Sequence, residues 1–181
     1  LGETPQLIDS DCHVTYITEL PQSMAIGTTC DLRIYSKDRN LLQKLCPDTY
    51  VQSLLPLPNK EILLIGTFNC GVKSISLSSW QEQPVKNGSL PHTPIRSMIE
   101  MTPSTVLLGF DGDGVYTYNL SSGEAEPLFT RTNRMLTAMG VYSLCRDCED
   151  NIWIGTYTGG AFLMMSEETS ITLLSHRKGE E

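Results

Sequence analysis

Hydrophobic positions in this chain fall into short runs separated by turn formers, and the same order of runs returns four times. Each round opens on a β-branched residue, a polar or mixed one, a small one and an apolar one. The four copies are Val14-Thr-Tyr-Ile17, Val51-Gln-Ser-Leu54, Ile95-Arg-Ser-Met98 and Val141-Tyr-Ser-Leu144, with Tyr16 the exception at the small position. Alternating apolar positions with little charge predict an inner strand flanked by neighbours. Turn formers follow at Pro21-Gln22-Ser23, Pro58-Asn59-Lys60, Thr102-Pro103-Ser104 and Glu149-Asp150-Asn151. Next come the most apolar runs, Met24 to Ile26, Ile62 to Ile65, Val106 to Leu108 and Ile152 to Ile154. Continuous apolar runs of this length, bounded by turns, predict strands buried on both faces.

Each apolar run ends at a glycine: Gly27, Gly66, Gly109 and Gly155, spaced by about 39, 43 and 46 residues. A second glycine stands five residues on in three copies, at Gly71, Gly114 and Gly160, whereas the first copy is one residue shorter and has Asp31-Leu32 there. From the opening segment to the anchoring glycine the offsets are about 13, 15, 14 and 14 residues, so two independent landmarks keep step. A third strand is predicted at Leu32 to Tyr35, Val72 to Leu77, Val115 to Leu120 and Ala161 to Met165. A more polar fourth follows at Leu41 to Leu45, weakly at Gln81 to Val85, and at Glu126 to Thr130 and Ile171 to Ser175. Polar outer strands suit an edge that must not pair with strangers. The best helical candidate, Asn40 to Leu45, is too short and ends at Pro47.

The chain is therefore expected to be all-β. Four-stranded antiparallel units at a period of about 40 residues predict a β-propeller. The expected blades are residues 14–50, 51–94, 95–140 and 141–181. Residues 1–13 form a lead-in or the outer strand of a preceding blade.

Composition narrows the function. With 181 residues, 40% hydrophobic content and a net charge of −8, the chain carries only 13 Lys and Arg. It has no basic run, so it lacks the electrostatic footprint for nucleic acid or an anionic membrane surface. Leu1 to Asp11 lacks the basic start and apolar middle of a secretory signal. The chain opens on Leu1 rather than Met, which suggests a piece of a longer protein. Six cysteines fit neither a dense disulfide scaffold nor a zinc signature, and Cys145-Arg-Asp-Cys148 lies at a strand end with no second pair. Cys30 and Cys70 occupy equivalent turns of adjacent repeats, and sequence leaves open whether they bond. No phosphate-cradling loop or nucleophile elbow is present, and no cofactor is expected.

Asp147 through Gly160, preceded by Val141-Tyr-Ser-Leu144, resembles the two-component regulator propeller repeat. That repeat runs V-x-S-[IL], an Asp before a turn, N-[IL]-W-[IV]-G-T and a glycine-rich turn. The resemblance extends from Val14 to about Ser175 and is most specific in the fourth copy. Asp150 stands where the repeat usually has Gly, and the first three copies have Ala25, Leu64 and Leu107 or Leu108 near the place of Trp153. The resemblance implies the periplasmic sensor region of a membrane-anchored hybrid two-component protein of Bacteroides type. There the propeller typically has seven blades ahead of a further β-domain, a membrane helix and a histidine kinase. It implies sensing, often of glycan fragments, with the signal passed across the membrane; without a catalytic motif the chain is expected not to be an enzyme.

Site candidates follow from geometry. In an antiparallel blade the turn between the second and third strands shares a face with the link to the next blade. That face would present Phe68, Phe110 and Tyr157, whose rings could stack on a sugar, and Asp111 and Asp113, which could accept from sugar hydroxyls. The links would add Asp48, Tyr50, His92, Asn133 and the cations Arg131 and Arg134. Each aromatic could instead cover a blade junction, and Phe110-Asp-Gly-Asp-Gly114 reads as a tight turn rather than a calcium loop, which needs more oxygen ligands. Trp153 is expected in the core, and Asp147 is expected to bond turn amides. Ser53, Ser97 and Ser143 recur where close packing, not nucleophilic chemistry, is expected.

The leading expectation is a propeller sensor whose ligand, an oligosaccharide, shifts how two copies associate. The rivals are a stand-alone four-bladed module that binds a protein, and a propeller enzyme, for which no acid/base pair clusters. Four blades of a larger ring would be an open arc with two exposed faces, to be covered by a second copy or by further blades of the parent chain.

Overall fold

The computed structural model describes residue 7, residues 11–128 and 139–166, and the backbone of residues 171–174. Four sheets of four strands account for them, each an antiparallel meander in chain order. The first blade is β1 (Val14–Glu19), β2 (Ser23–Thr28), β3 (Leu32–Ser36) and β4 (Leu41–Leu45). The second is β5 (Val51–Leu57), β6 (Ile62–Thr67), β7 (Val72–Ser76) and β8 (Glu82–Gln83). The third is β9 (Ile95–Thr102), β10 (Thr105–Phe110), β11 (Gly114–Asn119) and β12 (Ala125–Pro127). The fourth is β13 (Val141–Arg146), β14 (Ile152–Thr156), β15 (Ala161–Met164) and β16 (Ile171–Leu174). The fold is all-β and propeller-like. Asn40 to Leu45 supplies strand β4, and Pro58–Lys60 makes one 3-10 turn.

The repeated glycines close the blades onto one another. A methyl group on Gly27 would lie 2.5 Å from Cγ1 of Val51, one on Gly66 would lie 2.8 Å from Cγ2 of Ile95, and one on Gly109 would lie 2.7 Å from Cγ1 of Val141. Each glycine is thus a socket for the β-branched residue that opens the next blade. Hydroxyl groups cross the same junctions. Thr15 Oγ1 donates to the Val51 carbonyl (2.7 Å), Ser53 Oγ to the Ile95 carbonyl (2.7 Å), and Ser97 Oγ accepts from the Leu144 amide (2.9 Å). Ser53 and Ser97 are therefore junction pieces.

Three apolar layers fill the three junctions. Ala25, Leu32 and Ile34 meet Val51, Leu54 and Ile65; Leu64 and Val72 meet Ile95, Met98 and Leu108; Leu107 and Val115 meet Val141, Ile154 and Phe162. Each fully buried aliphatic side chain contributes about 1.5–3 kcal/mol relative to exposure. These layers, not the edges of single sheets, hold the fold.

Among the described residues the two ends lack such a layer. On the first blade Val14 is 47% and Ile17 56% exposed. On the fourth, Trp153 is 37% exposed, which corrects the core position expected for it. Trp153 occupies the place held by Ala25, Leu64 and Leu107, two residues before the glycine. Those three are buried because a blade follows them, and no blade follows the fourth among the described residues.

Candidate functional site

The residue after each glycine shapes the turn that leads to the third strand. Thr67 Oγ1 donates to the Gly71 carbonyl (2.8 Å) and accepts from the Cys70 amide (2.8 Å). Thr156 repeats the pattern with the Gly160 carbonyl (2.8 Å) and the Gly159 amide (3.0 Å). Thr28 does so with the Asp31 carbonyl (3.0 Å) and the Cys30 and Asp31 amides (3.0 and 2.9 Å). The hydroxyl replaces backbone bonds that a tight turn leaves unmade. In the third copy Phe110 stands in that place. There the Gly114 amide bonds the Met139 carbonyl (3.1 Å), and Asp111 bridges to Gly140.

The second residue of each opening segment is re-aimed by a bulge. Pairing of the first two strands skips a residue between Val14 and Tyr16, between Val51 and Ser53, and between Val141 and Ser143, and a matching irregularity lies beside Arg96. Bulges bend the strand and redirect the extra side chain. The redirected residues are Thr15, Gln52, Arg96 and Tyr142, and three of them join in one cluster.

Arg96 is its centre. Its Nε and Nη2 donate to Asp111 Oδ2 at 3.1 and 2.7 Å, and Nη1 donates to Gln52 Oε1 at 2.5 Å. The guanidinium carbon sits 5.0 Å from the ring centroid of Tyr142, a cation–π contact. Tyr142 in turn stacks on Tyr157 with centroids 5.3 Å apart and its hydroxyl points to Asp111 Oδ2 at 3.4 Å. Because Arg96 can only donate, Gln52 must turn its oxygen toward it. That leaves Gln52 Nε2 buried without a partner among the described residues. Asp111 Oδ1 has no hydrogen bond among the described residues. A donor pair, an acceptor and a flat ring thus lie side by side at one end of the blades.

The expected site residues divide. Asp111 and Tyr157 belong to this cluster, and Tyr157 is 75% exposed. Phe68 lies at the same end of the second blade and stacks on Tyr50 with centroids 5.0 Å apart and planes 9° from parallel. Asp113 accepts from Thr93 Oγ1 at 2.6 Å, and its carboxylate helps push the Tyr116 phenol up, after burial of that ring. Phe110 is a correction: it is fully buried, its ring edge-on to Tyr116, and offers no face to a ligand. It aligns with Thr67 and Thr156, whereas Asp111 aligns with Phe68 and Tyr157. Arg131 and Arg134 lie outside the described residues, as does Asn133.

Sequence reasoning missed Arg96, Gln52 and Tyr142. Their signal was the variable second position of an otherwise regular opening segment, where an arginine in a buried strand needed a partner.

Away from the cluster, Asp147 accepts from the Glu149 and Asn151 amides (2.9 Å each) and from Trp153 Nε1 (2.8 Å). The Trp153 bond above all, with those from Asn151 and Glu149, holds its carboxyl below the ordinary value. Cys30 and Cys70 are both free and exposed. The thiol that Cys30 meets is Cys12, whose titration is pushed up first by their hydrogen bond, while Cys70 donates to Asn69 (3.3 Å). A cleft of about 580 Å³ opens between the first two blades beside their first turns, lined by Leu20, Pro21, Leu42, Pro58, Leu77 and Trp80. None of the expected site residues that the structure describes lines it. No described helix is long and apolar enough to cross a membrane.

No protein-family profile and no curated protein matches the chain. Solved structures do. The chain is similar to the extracellular domain of BT4673 from B. thetaiotaomicron, assigned as a one component or hybrid two component system. The TM-score is 0.73 at 19% identity over 97% of this chain and 24% of that one, and 0.67 at 20% identity over 83% and 21% in a second structure. It is similar to the extracellular domain of the B. thetaiotaomicron hybrid two component system BT3049, with a TM-score of 0.73 at 17% identity over 94% of this chain and 25% of that one. It is also similar to the computationally designed Ika4 protein, with a TM-score of 0.67 at 13% identity over 90% of this chain and 98% of that one. The chain therefore spans about a quarter of the length of the bacterial domains it matches, and at these identities the likeness is one of fold.

Proposed function

We propose that this chain is the ligand-sensing part of an extracytoplasmic propeller in a two-component signalling protein, that its ligand is a glycan fragment, and that it is not an enzyme. The Arg96–Asp111–Tyr142–Tyr157 cluster carries the reading. A flat ring can cover the apolar face of a sugar, while a charged donor–acceptor pair beside it serves the hydroxyls at the rim. The fold likeness to extracellular domains of bacterial signalling systems supports a sensing role. In this reading the protein is periplasmic and membrane-anchored. Bound ligand changes how two copies associate, and that rearrangement carries the signal.

Calorimetric titration with a panel of neutral and acidic oligosaccharides tests it. Tyr157→Ala and Asp111→Asn are each expected to weaken binding about tenfold or more, a loss of about 1.4 kcal/mol. If no oligosaccharide binds, or if binding ignores both substitutions, the reading is wrong.

A further inference from the structure

Cys12 and Cys30 are both free thiols, and the register of the first blade brings them face to face. Val14 pairs with Thr28 across β1 and β2, and one step further the Thr29 amide bonds the His13 carbonyl (3.0 Å). The same register sets Cys12 opposite Cys30. The Cys30 amide turns to Thr28 Oγ1 (3.0 Å) and its carbonyl to the Thr49 amide (3.1 Å). The two cysteines are thus the non-hydrogen-bonded kind of antiparallel pair. At such a pair Cα atoms stand about 4.5 Å apart, within the span of about 4.4–6.8 Å that a disulfide bridges.

The side chains agree with the backbone. The two thiols share a hydrogen bond, and Arg33 Nη2 donates to Cys12 Sγ at 3.3 Å. Arg33 is buried, and Asp31 Oδ1 holds its Nε at 2.9 Å, so a fixed group keeps Cys12 against Cys30. Three other thiols turn to oxygen instead: Cys46 to Glu82, Cys70 to Asn69 and Cys145 to the Arg146 carbonyl.

We propose that Cys12 and Cys30 are a disulfide site, which fastens the segment before β1 to the turn between β2 and β3. The oxidant is a disulfide, either of a small thiol or of a thiol–disulfide exchange protein. Cys30 is exposed and takes the first step: its thiolate attacks one donor sulfur, the donor S–S bond breaks, and one donor thiolate leaves. The Cys12 thiolate then attacks Cys30 Sγ, the mixed disulfide breaks, and the second donor thiolate leaves. The two cysteine thiols have given up two electrons and two protons, and the donor has become two thiols. Contact with the Cys30 thiol is the first cause that holds the Cys12 thiol up. The mixed disulfide removes that contact, while Arg33 still favours the Cys12 thiolate. The site stands apart from the sensing reading, because the bond is read without ligand. Outside the cytoplasm such a bond persists once made.

The test incubates the folded 181-residue chain in glutathione buffers from reducing to oxidising, then blocks free thiols. The denatured protein is cleaved after glutamate, which cuts at Glu19 between the two cysteines, and the peptides are weighed. In oxidising buffer the free Cys12 and Cys30 peptides should be lost and replaced by one joined species lighter by two hydrogens. Cys12→Ser should stop at glutathione on Cys30, with circular dichroism checking that the variant remains folded. Amide exchange at Thr29, whose bond to the His13 carbonyl lies beside the disulfide, should slow on oxidation in the unaltered chain but not in Cys12→Ser. A Cys30–Cys70 bond overturns the proposal, as does glutathione on Cys30 that Cys12 never displaces, or free Cys12 in the most oxidising buffer. So does a Cys12–Cys30 bond that forms no faster in the folded chain than in denaturant, or exchange at Thr29 that oxidation leaves unchanged.

Discussion

The Ser53 hydroxyl donates to the Ile95 carbonyl at 2.7 Å, tying the inner strand of the second blade to the opening of the third. Both residues are fully buried, so water cannot replace the bond. Ser53→Ala is expected to lower stability by about 1–3 kcal/mol, the cost of leaving a buried polar group unpaired. Urea unfolding measures it. A change within about 0.5 kcal/mol would show that the bond does not bind the blades.

Asp147 predicts an acid response in the fourth blade. Three hydrogen-bonded neighbours, Trp153 first, keep its carboxyl below the ordinary value of 3.8. A depressed folded value means that the contribution is fully present above the unfolded value and is lost as pH falls through the folded one. The Trp153 indole N–H resonance should therefore shift with a midpoint below that ordinary value. In Asp147→Asn the shift should vanish. A midpoint above 3.8 in the unaltered protein would contradict the assigned bonds.

The cysteines should differ in reactivity by position. Cys46 is buried, and burial first, then its bond to Glu82, pushes its thiol up to about 12. At neutral pH it holds almost no thiolate, the form that reacts. Brief alkylation of the folded protein should label Cys70, Cys145 and Cys148 and spare Cys46 until denaturant is added. Equal labelling of Cys46 and Cys145, read by peptide mass spectrometry, would show that the first junction opens readily.

The fold was legible because its landmarks are local. A glycine that must receive a neighbour's side chain cannot be replaced cheaply, so Gly27, Gly66 and Gly109, with Gly155 at the matching place, mark the period without any knowledge of contacts. Strand ends followed the same logic, except on outer strands such as Glu82–Gln83, where little burial defines them. The site was half legible. Asp111 and Tyr157 stand at the turn face as anticipated, but Phe110 was placed one residue out of step. In a strand the facing period is two, so one residue exchanges turn face for core. Arg96, Gln52 and Tyr142 stayed hidden because a bulge is a property of the pairing between strands, and neither strand alone shows it.

The threonine after the glycine has a consequence for how such a molecule changes over evolutionary time. It fastens the base of its own turn through main-chain groups alone at Thr67 and Thr156, whereas Thr28 also bonds the Asp31 carboxylate. Tip residues such as Phe68-Asn69 and Tyr157-Thr158 are therefore released from any duty to the scaffold. Mutation can sample new chemistry there, blade by blade, on a frame that does not notice the exchange.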